Sequence, residues 1–175
     1  MKFNVLNLKQ WVEENKDSLK PPVGNKEIYP GGDFIVMAVG GPNSRKDYHY
    51  NETPEFFYQI KGDIVLKVVE GGEFKDIEIK EGEIYLLNPK TPHSPQRKAG
   101  TIGLVIEQKR PADMLDAFLW FCENCGNKLY EEQVNVSNIV TQLPEVFKRF
   151  YGDINKCTCQ KCGTVMQAPP KPIND

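Results

Sequence analysis

The chain has 175 residues, enough for one domain of ordinary size with a small appendage. Its hydrophobic content of 39%, with 10% aromatic residues, suffices for a real core, while a net charge of −2 and a pI near 5.8 give no electrostatic reason to expect nucleic acid or a membrane surface as partner. No apolar run approaches the roughly 18 residues of a spanning helix, and the N-terminus lacks the basic-then-apolar pattern of a secretion signal. Five cysteines, four of them in Cys-x-x-Cys pairs, suit a reduced compartment and a metal better than disulfides, so the cytoplasm is the expected location.

Asn7 is placed to cap a helix from Leu8 to about Leu19, with Leu8, Trp11, Val12 and Leu19 on one face. Lys20-Pro21-Pro22 stops it, because proline cannot continue the hydrogen-bond ladder. From Glu27 to Glu107 the pattern becomes short strands separated by turn residues. The expected strands run over 34–39, 55–60, 63–70, 74–80, 84–87 and 103–107, with a Gly71-Gly72 hairpin turn between the third and fourth. Many short strands at this spacing predict a jelly-roll barrel. After Pro111 the character shifts, and helices are expected over 112–120 and roughly 138–151, the second interrupted by Pro144; the tail from Ala168 is irregular. The chain is therefore expected to be mainly β, with residues 1–110 forming the N-terminal helix and barrel. Residues 111–175 would form a C-terminal helical and cysteine-bearing region of the same compact unit.

The chain has only two histidines, each beside a strand. His49 is followed six positions later by Glu55, which opens a strand; His93 follows Pro89-Lys90-Thr91-Pro92. In a strand from Glu55, residues 55, 57 and 59 share one face, so Glu55 looks into the barrel if Phe56 and Tyr58 pack outside. Asp47 and His49 share a face if their segment is extended. Two histidines and one carboxylate form a facial set that leaves positions open for substrate and oxygen, which favours iron(II) over zinc; manganese and nickel are compatible with the same ligands. Arg45 lies four residues before His49, Arg97 four after His93, and Glu107 ends the strand Leu104-Val105-Ile106. Two guanidinium groups near one metal suit a small carboxylated substrate, since arginine grips a carboxylate with two parallel hydrogen bonds.

Cys122-x-x-Cys125-Gly126 and Cys159-x-x-Cys162-Gly163 are two knuckles separated by 33 residues. Four thiolates at this spacing predict a tetrahedral zinc or iron site. Cys157 is left over; Cys159 keeps the spacing and is the expected ligand.

The frame Gly41…His49-x5-Glu55-x6-Gly62 followed by Gly82…His93 resembles the two cupin motifs, with Asp47 where cupins usually have a first histidine. A three-ligand site fits this better than a four-ligand one. Several stretches resemble 3-hydroxyanthranilate 3,4-dioxygenase more closely: Leu19–Asn25, Val39–Asn43, Arg45-x-Asp47-Tyr48-His49, Glu55-x-Phe57-Tyr58-Gln59, Pro92-His93-Ser94-Pro95-x-Arg97, Val105-Ile106-Glu107-x-x-Arg110-Pro111, and Trp120-x-Cys122-x-x-Cys125 with the later pair. The length resembles the single-cupin bacterial and fungal type. The resemblance implies catalytic iron on His49, Glu55 and His93, with dioxygen as co-substrate. It gives Arg97 to the carboxylate of the aromatic substrate, Glu107 to substrate, Arg45 to dioxygen, and Glu55 to both iron and substrate. It places Asn25 on a loop over the site and Ile139 on its apolar wall. It further implies a second, rubredoxin-like metal at Cys122, Cys125, Cys159 and Cys162 that the chemistry does not need, and a homodimer. Competing readings are another cupin enzyme, a non-enzymatic metal-dependent binding module, and a zinc protein with a vestigial pocket.

Overall fold

The computed structural model describes residues 4–21, 24–136 and 139–169, and for Ser44 and residues 139–141 the backbone alone. Pro22, Val23, Asn138 and the tail beyond 169 thus lie outside the described residues, as does the side chain of Ile139.

Helix α1 (Leu8–Glu14) begins where the Asn7 side chain accepts a hydrogen bond from the Gln10 backbone N–H at 3.0 Å. It is shorter than expected: the chain breaks at Asn15 and continues as a single 3-10 stretch, Lys16–Leu19. Val12 and Leu19 are buried against Ala38 and Ile28, with Leu8 and Trp11 packed alongside, so the expected apolar face does cover the barrel.

The strands follow in order: β1 (Asn25–Glu27), β2 (Phe34–Gly40), β3 (Asn43–Ser44), β4 (Asp47–Tyr50), β5 (Glu55–Lys61), β6 (Ile64–Glu70), β7 (Glu73–Ile79), β8 (Ile84–Leu87), β9 (His93–Arg97), β10 (Ile102–Gln108), β11 (Asp116–Phe121) and β12 (Lys128–Val134). They form two facing antiparallel sheets, ordered β1-β2-β10-β5-β8 and β12-β11-β4-β9-β6-β7, with β3 paired to β9. Alternation sets their faces. Along β5 Glu55, Phe57 and Gln59 are buried and Phe56, Tyr58 and Ile60 are half-buried, which puts Glu55 on the inner face. Phe57, Ile64, Leu66, Val68, Ile79, Leu87 and Val105 fill the interior between the sheets.

The helix expected over 112–120 is not formed. After a short turn, residues 116–121 are strand β11, paired on one side with β4 and on the other with β12. Residues 116–120 are all buried, which erases the alternation that marks a half-exposed strand. Helix α2 (Ile139–Tyr151) runs through Pro144, which removes one backbone donor without ending the helix. With α3 (Ile154–Cys157) it packs on Trp120, whose ring stacks on Phe150 at 4.3 Å. Among the described residues no helix is long and apolar enough to cross a membrane.

Candidate active site

Strand register builds the site. His49 on β4 lies directly opposite His93 on β9. On the facing sheet Glu55 on β5 lies opposite Glu107 on β10, and four pairs further along Gln59 lies opposite Gly103. One ligand atom from each of His49, Glu55 and His93 lies within 4.8 Å of the others, and all three residues are buried. Asp47 is not in this cluster. Its carboxylate accepts from Arg45 Nε at 3.0 Å and from Nη2. Among the described residues the site therefore offers three ligands.

Both imidazoles are oriented by a partner on the far nitrogen. His93 Nδ1 donates to the Thr91 carbonyl at 3.0 Å, and its Nε2 faces Glu55 Oε2 at 3.1 Å. Against burial, the charge and hydrogen bond of Glu55 raise the His93 pKa and favour a proton on Nε2, whose place a divalent metal would take. His49 Nε2 donates to Asp116 Oδ2 at 2.7 Å, leaving Nδ1 as its free nitrogen, and Phe118 stacks on the ring at 5.2 Å. A fixed tautomer is what a metal-binding histidine requires. Burial pushes His49 below its ordinary pKa despite Asp116, which keeps it neutral and able to ligate. Burial alone would raise Glu55, but His93, through charge and hydrogen bond, and His49 outweigh it and hold the carboxyl at about 2. The donor set of two imidazoles and one ionised carboxylate thus fits a divalent metal.

Arg97 is 4% exposed and enters the same lumen. Its Nη1 donates to Gln59 Oε1 at 3.1 Å, and its Nε has no partner. Burial, opposed only by Glu55, lowers its pKa to about 10, so it is still a cation at neutral pH. An unpartnered, buried guanidinium donor is costly unless a ligand satisfies it, and a carboxylate does so best. Gly103 is the reason the group fits, since a Cβ there would lie 2.7 Å from Arg97 Nη1. Glu107 is pushed up to about 7, first by burial and then by the charge of Glu55 beside it, against the pull of Arg110.

Sequence reasoning missed Asp116, Arg110 and Gln59. Asp116 was hidden by the helix expected over its segment. The signal available was an acidic residue opening a run of aromatic and aliphatic residues, Asp116-Ala117-Phe118-Leu119-Trp120-Phe121, which reads as a buried strand. Asn25 lies in β1, paired with Val39, and not on a loop.

The four cysteines Cys122, Cys125, Cys159 and Cys162 meet at the far end of β11, their sulfurs all within 4.8 Å. Each knuckle closes in the same way: Gly126 N–H donates to Cys122 O at 2.9 Å and Gly163 N–H to Cys159 O at 2.8 Å. Both glycines have positive φ, 69° and 74°, which a side chain would oppose. Cys122–Cys162 and Cys125–Cys159 sulfur separations of 3.5 and 3.6 Å approach the spacing of about 3.8 Å that a tetrahedron with metal–sulfur bonds of about 2.3 Å requires. The Thr164 hydroxyl, then its backbone, holds the Cys162 thiol down at about 5, ready to ligate. Cys157 is outside the cluster; its Sγ donates to the Phe150 carbonyl within the core beneath α2.

A family model described as 3-hydroxyanthranilic acid dioxygenase matches residues 1–151. A 3-hydroxyanthranilate 3,4-dioxygenase of Xanthomonas euvesicatoria is 52% identical over 166 residues, covering 95% of this chain and 94% of its own length. The protein of the same name from Neurospora crassa is 49% identical over 167 residues, covering 95% of this chain and 92% of its own length. Among solved structures, a cupin-2 domain protein from Shewanella frigidimarina is 20% identical with a TM-score of 0.46, covering 59% of this chain and 94% of its own. The fold is a mainly β pair of antiparallel sheets with C-terminal helices. Match length, identity and coverage together show that the chain belongs to the 3-hydroxyanthranilic acid dioxygenase family.

Proposed function

We propose that this chain opens the ring of 3-hydroxyanthranilate with dioxygen, between the hydroxyl-bearing carbon and its neighbour on the side away from the amine. The product is 2-amino-3-carboxymuconate semialdehyde, which closes without enzyme to quinolinate, a precursor of NAD in the kynurenine route. One observation carries the reading: His49, Glu55 and His93 converge beside the unpartnered Nε of a buried Arg97. The activity named for relatives of about half-identical sequence supports the choice of ring and bond.

His49, Glu55 and His93 would hold ferrous iron, which when bound supplies an electron path between an electron-rich ring and dioxygen. The remaining steps belong to the chain. Arg97 takes the carboxylate with the donors that Gln59 leaves free and fixes the ring's rotation in the lumen. Glu107, with a pKa of about 7, accepts a hydrogen bond from the ring's hydroxyl or amine when ionised. Arg45, tied to Asp47 through Nε and Nη2, keeps its charge close enough to Glu55 and His93 to act where negative charge grows on oxygen. The apolar side chains between the sheets exclude water from the reacting ring. Both oxygen atoms stay in the product, so no outside reductant is consumed.

The cysteine cluster would hold iron or zinc in a structural role. A cytoplasmic homodimer is the setting proposed, supported by the free thiols and the family resemblance. The test is direct: chain purified without oxygen and given ferrous iron should consume oxygen with 3-hydroxyanthranilate and form a near-ultraviolet product band. Iron-loaded chain that takes up no oxygen with this substrate would refute the reading.

A further inference from the structure

Arg110 is used by neither the metal triad nor the carboxylate-binding arginine, yet its side chain is only 3% exposed. Its Nε donates to both oxygens of Asp116 at 3.1 Å, and its Nη2 lies 2.9 Å from Asp116 Oδ2. Its Nη1 lies 2.6 Å from Glu107 Oε2, an ion pair off the line of a hydrogen bond. With the Asn51 amide turned so that both its ends are satisfied, the Asn51 oxygen accepts from Nη2 at 3.1 Å. Asp116 in turn holds His49. One guanidinium therefore closes a chain that runs Glu107–Arg110–Asp116–His49. It joins the end of β10 on one sheet to the start of β11 on the other.

We propose that Arg110 is a positioning residue that sets two groups at once: His49, through Asp116, for metal binding, and Glu107 for substrate binding. The proposal rests on the reading of the site given above. Only a planar fork can serve both carboxylates, because its donors point in two directions from one rigid plane. Remove it, and two buried carboxylates remain with no cation between them. Asp116 loses the partner that aims it at His49, and Glu107 loses the charge that keeps it available as an acceptor. If Arg110 served stability alone, its loss would lower the melting temperature and leave both affinities of the folded chain unchanged.

The experiment measures two affinities. Ferrous iron is titrated against a chromophoric chelator without substrate. Binding of 3-hydroxyanthranilate is followed by fluorescence without oxygen at saturating iron. If the wild-type chain binds neither, the reading of the site fails, and this proposal with it. If it binds both, the variants decide. Asp116→Asn should weaken iron about tenfold or more and leave substrate within about twofold. Glu107→Gln should do the reverse. Arg110→Gln should weaken both about tenfold or more, as orienting partners of ligands typically do. Arg110→Lys, whose ammonium cannot span both carboxylates, should fold and still lose at least one of the two affinities. Folded Arg110→Gln or Arg110→Lys with both affinities within about twofold of wild type would overturn the proposal. Failure of both variants to fold would make the residue structural and overturn it equally.

Discussion

Gly103→Ala is the most discriminating perturbation of the substrate side of the site. The residue sits in β10 opposite Gln59, and its backbone is open to any residue. An added Cβ would lie 2.7 Å from Arg97 Nη1, 2.9 Å from Gln59 Oε1 and 3.0 Å from Arg97 Nη2. Ordinary contact at about 3.5 Å requires the guanidinium to retreat by about 0.8 Å. Strand formation gains about 0.5–1 kcal/mol from replacing glycine, and overpacking costs about 1–3 kcal/mol. The net loss of stability is about 0–2.5 kcal/mol, a fall of at most about 10 °C in melting temperature for a chain of this size. The effect on substrate should be larger, since displacement approaching 1 Å costs on the order of 100-fold, or about 2.7 kcal/mol. Affinities of oxygen-free, iron-loaded chain for 3-hydroxyanthranilate and for 2-aminophenol, the same ring without its carboxylate, separate the causes. The first should weaken about 100-fold and the second by less than about threefold. Equal weakening of both, or of neither, would refute the placement of the carboxylate at Arg97.

His49→Ala or His93→Ala should remove iron from the lumen site and abolish turnover; normal activity in either purified variant, checked by metal analysis and oxygen uptake, would end the metal assignment. Arg97→Ala should cost about 2–5 kcal/mol of binding with iron loading intact, and Arg97→Lys should recover only part of it, as saturation curves would report. Glu107 has a folded pKa of about 7 against an ordinary 4.5, so the folded state holds its proton more tightly. Its contribution to stability is present below about pH 4.5 and is lost as the pH rises through about 7. Urea denaturation across that window should show a shallower decline in Glu107→Gln, and an unchanged slope would count against the raised pKa. Cys159→Ser with Cys162→Ser should lose about one metal per chain and some stability yet keep dioxygenase activity with added ferrous iron; lost turnover in a folded, iron-loaded sample would give the cysteine metal a catalytic part.

Much of this architecture was legible because alternation is legible. The alternation along β5 faces Glu55 inward once Phe56 and Tyr58 pack outside, and the spacing of the cysteines, with a glycine after each pair, specifies the two knuckles. What hid was of two kinds. β4 and β9 are four and five residues long, too short for a periodicity, so the direct opposition of His49 and His93 depends on a pairing that no local pattern announces. Residues 116–120 are buried on both faces, and the stretch just before them, Ala112-Asp113-Met114-Leu115, is rich in helix formers. Propensity favours a helix; pairing of β11 with β4 on one side and β12 on the other overrides it. On a helix Asp116 would have belonged to a solvated face, whereas on β11 it is fully buried under His49.

β11 is also what relates the two clusters. It starts at Asp116, against His49, and ends beside Cys122, six residues on. At about 3.3 Å per residue that distance is about 20 Å, too far for the cysteine metal to touch a substrate bound at the triad. The strand is nonetheless shared. At one end four sulfurs tie β11 to the segment after α3, and Trp120 is fully buried among Tyr130, Phe147 and Phe150. At the other end Arg110 holds Asp116 independently, from the segment that follows β10. A disturbance at the thiolates must unseat Trp120 before it reaches the active site, and even then Asp116 keeps its own anchor. Damage to the cysteine cluster should therefore register as lost stability long before it registers as lost chemistry, whereas damage to Arg110 acts on the chemistry from within the site.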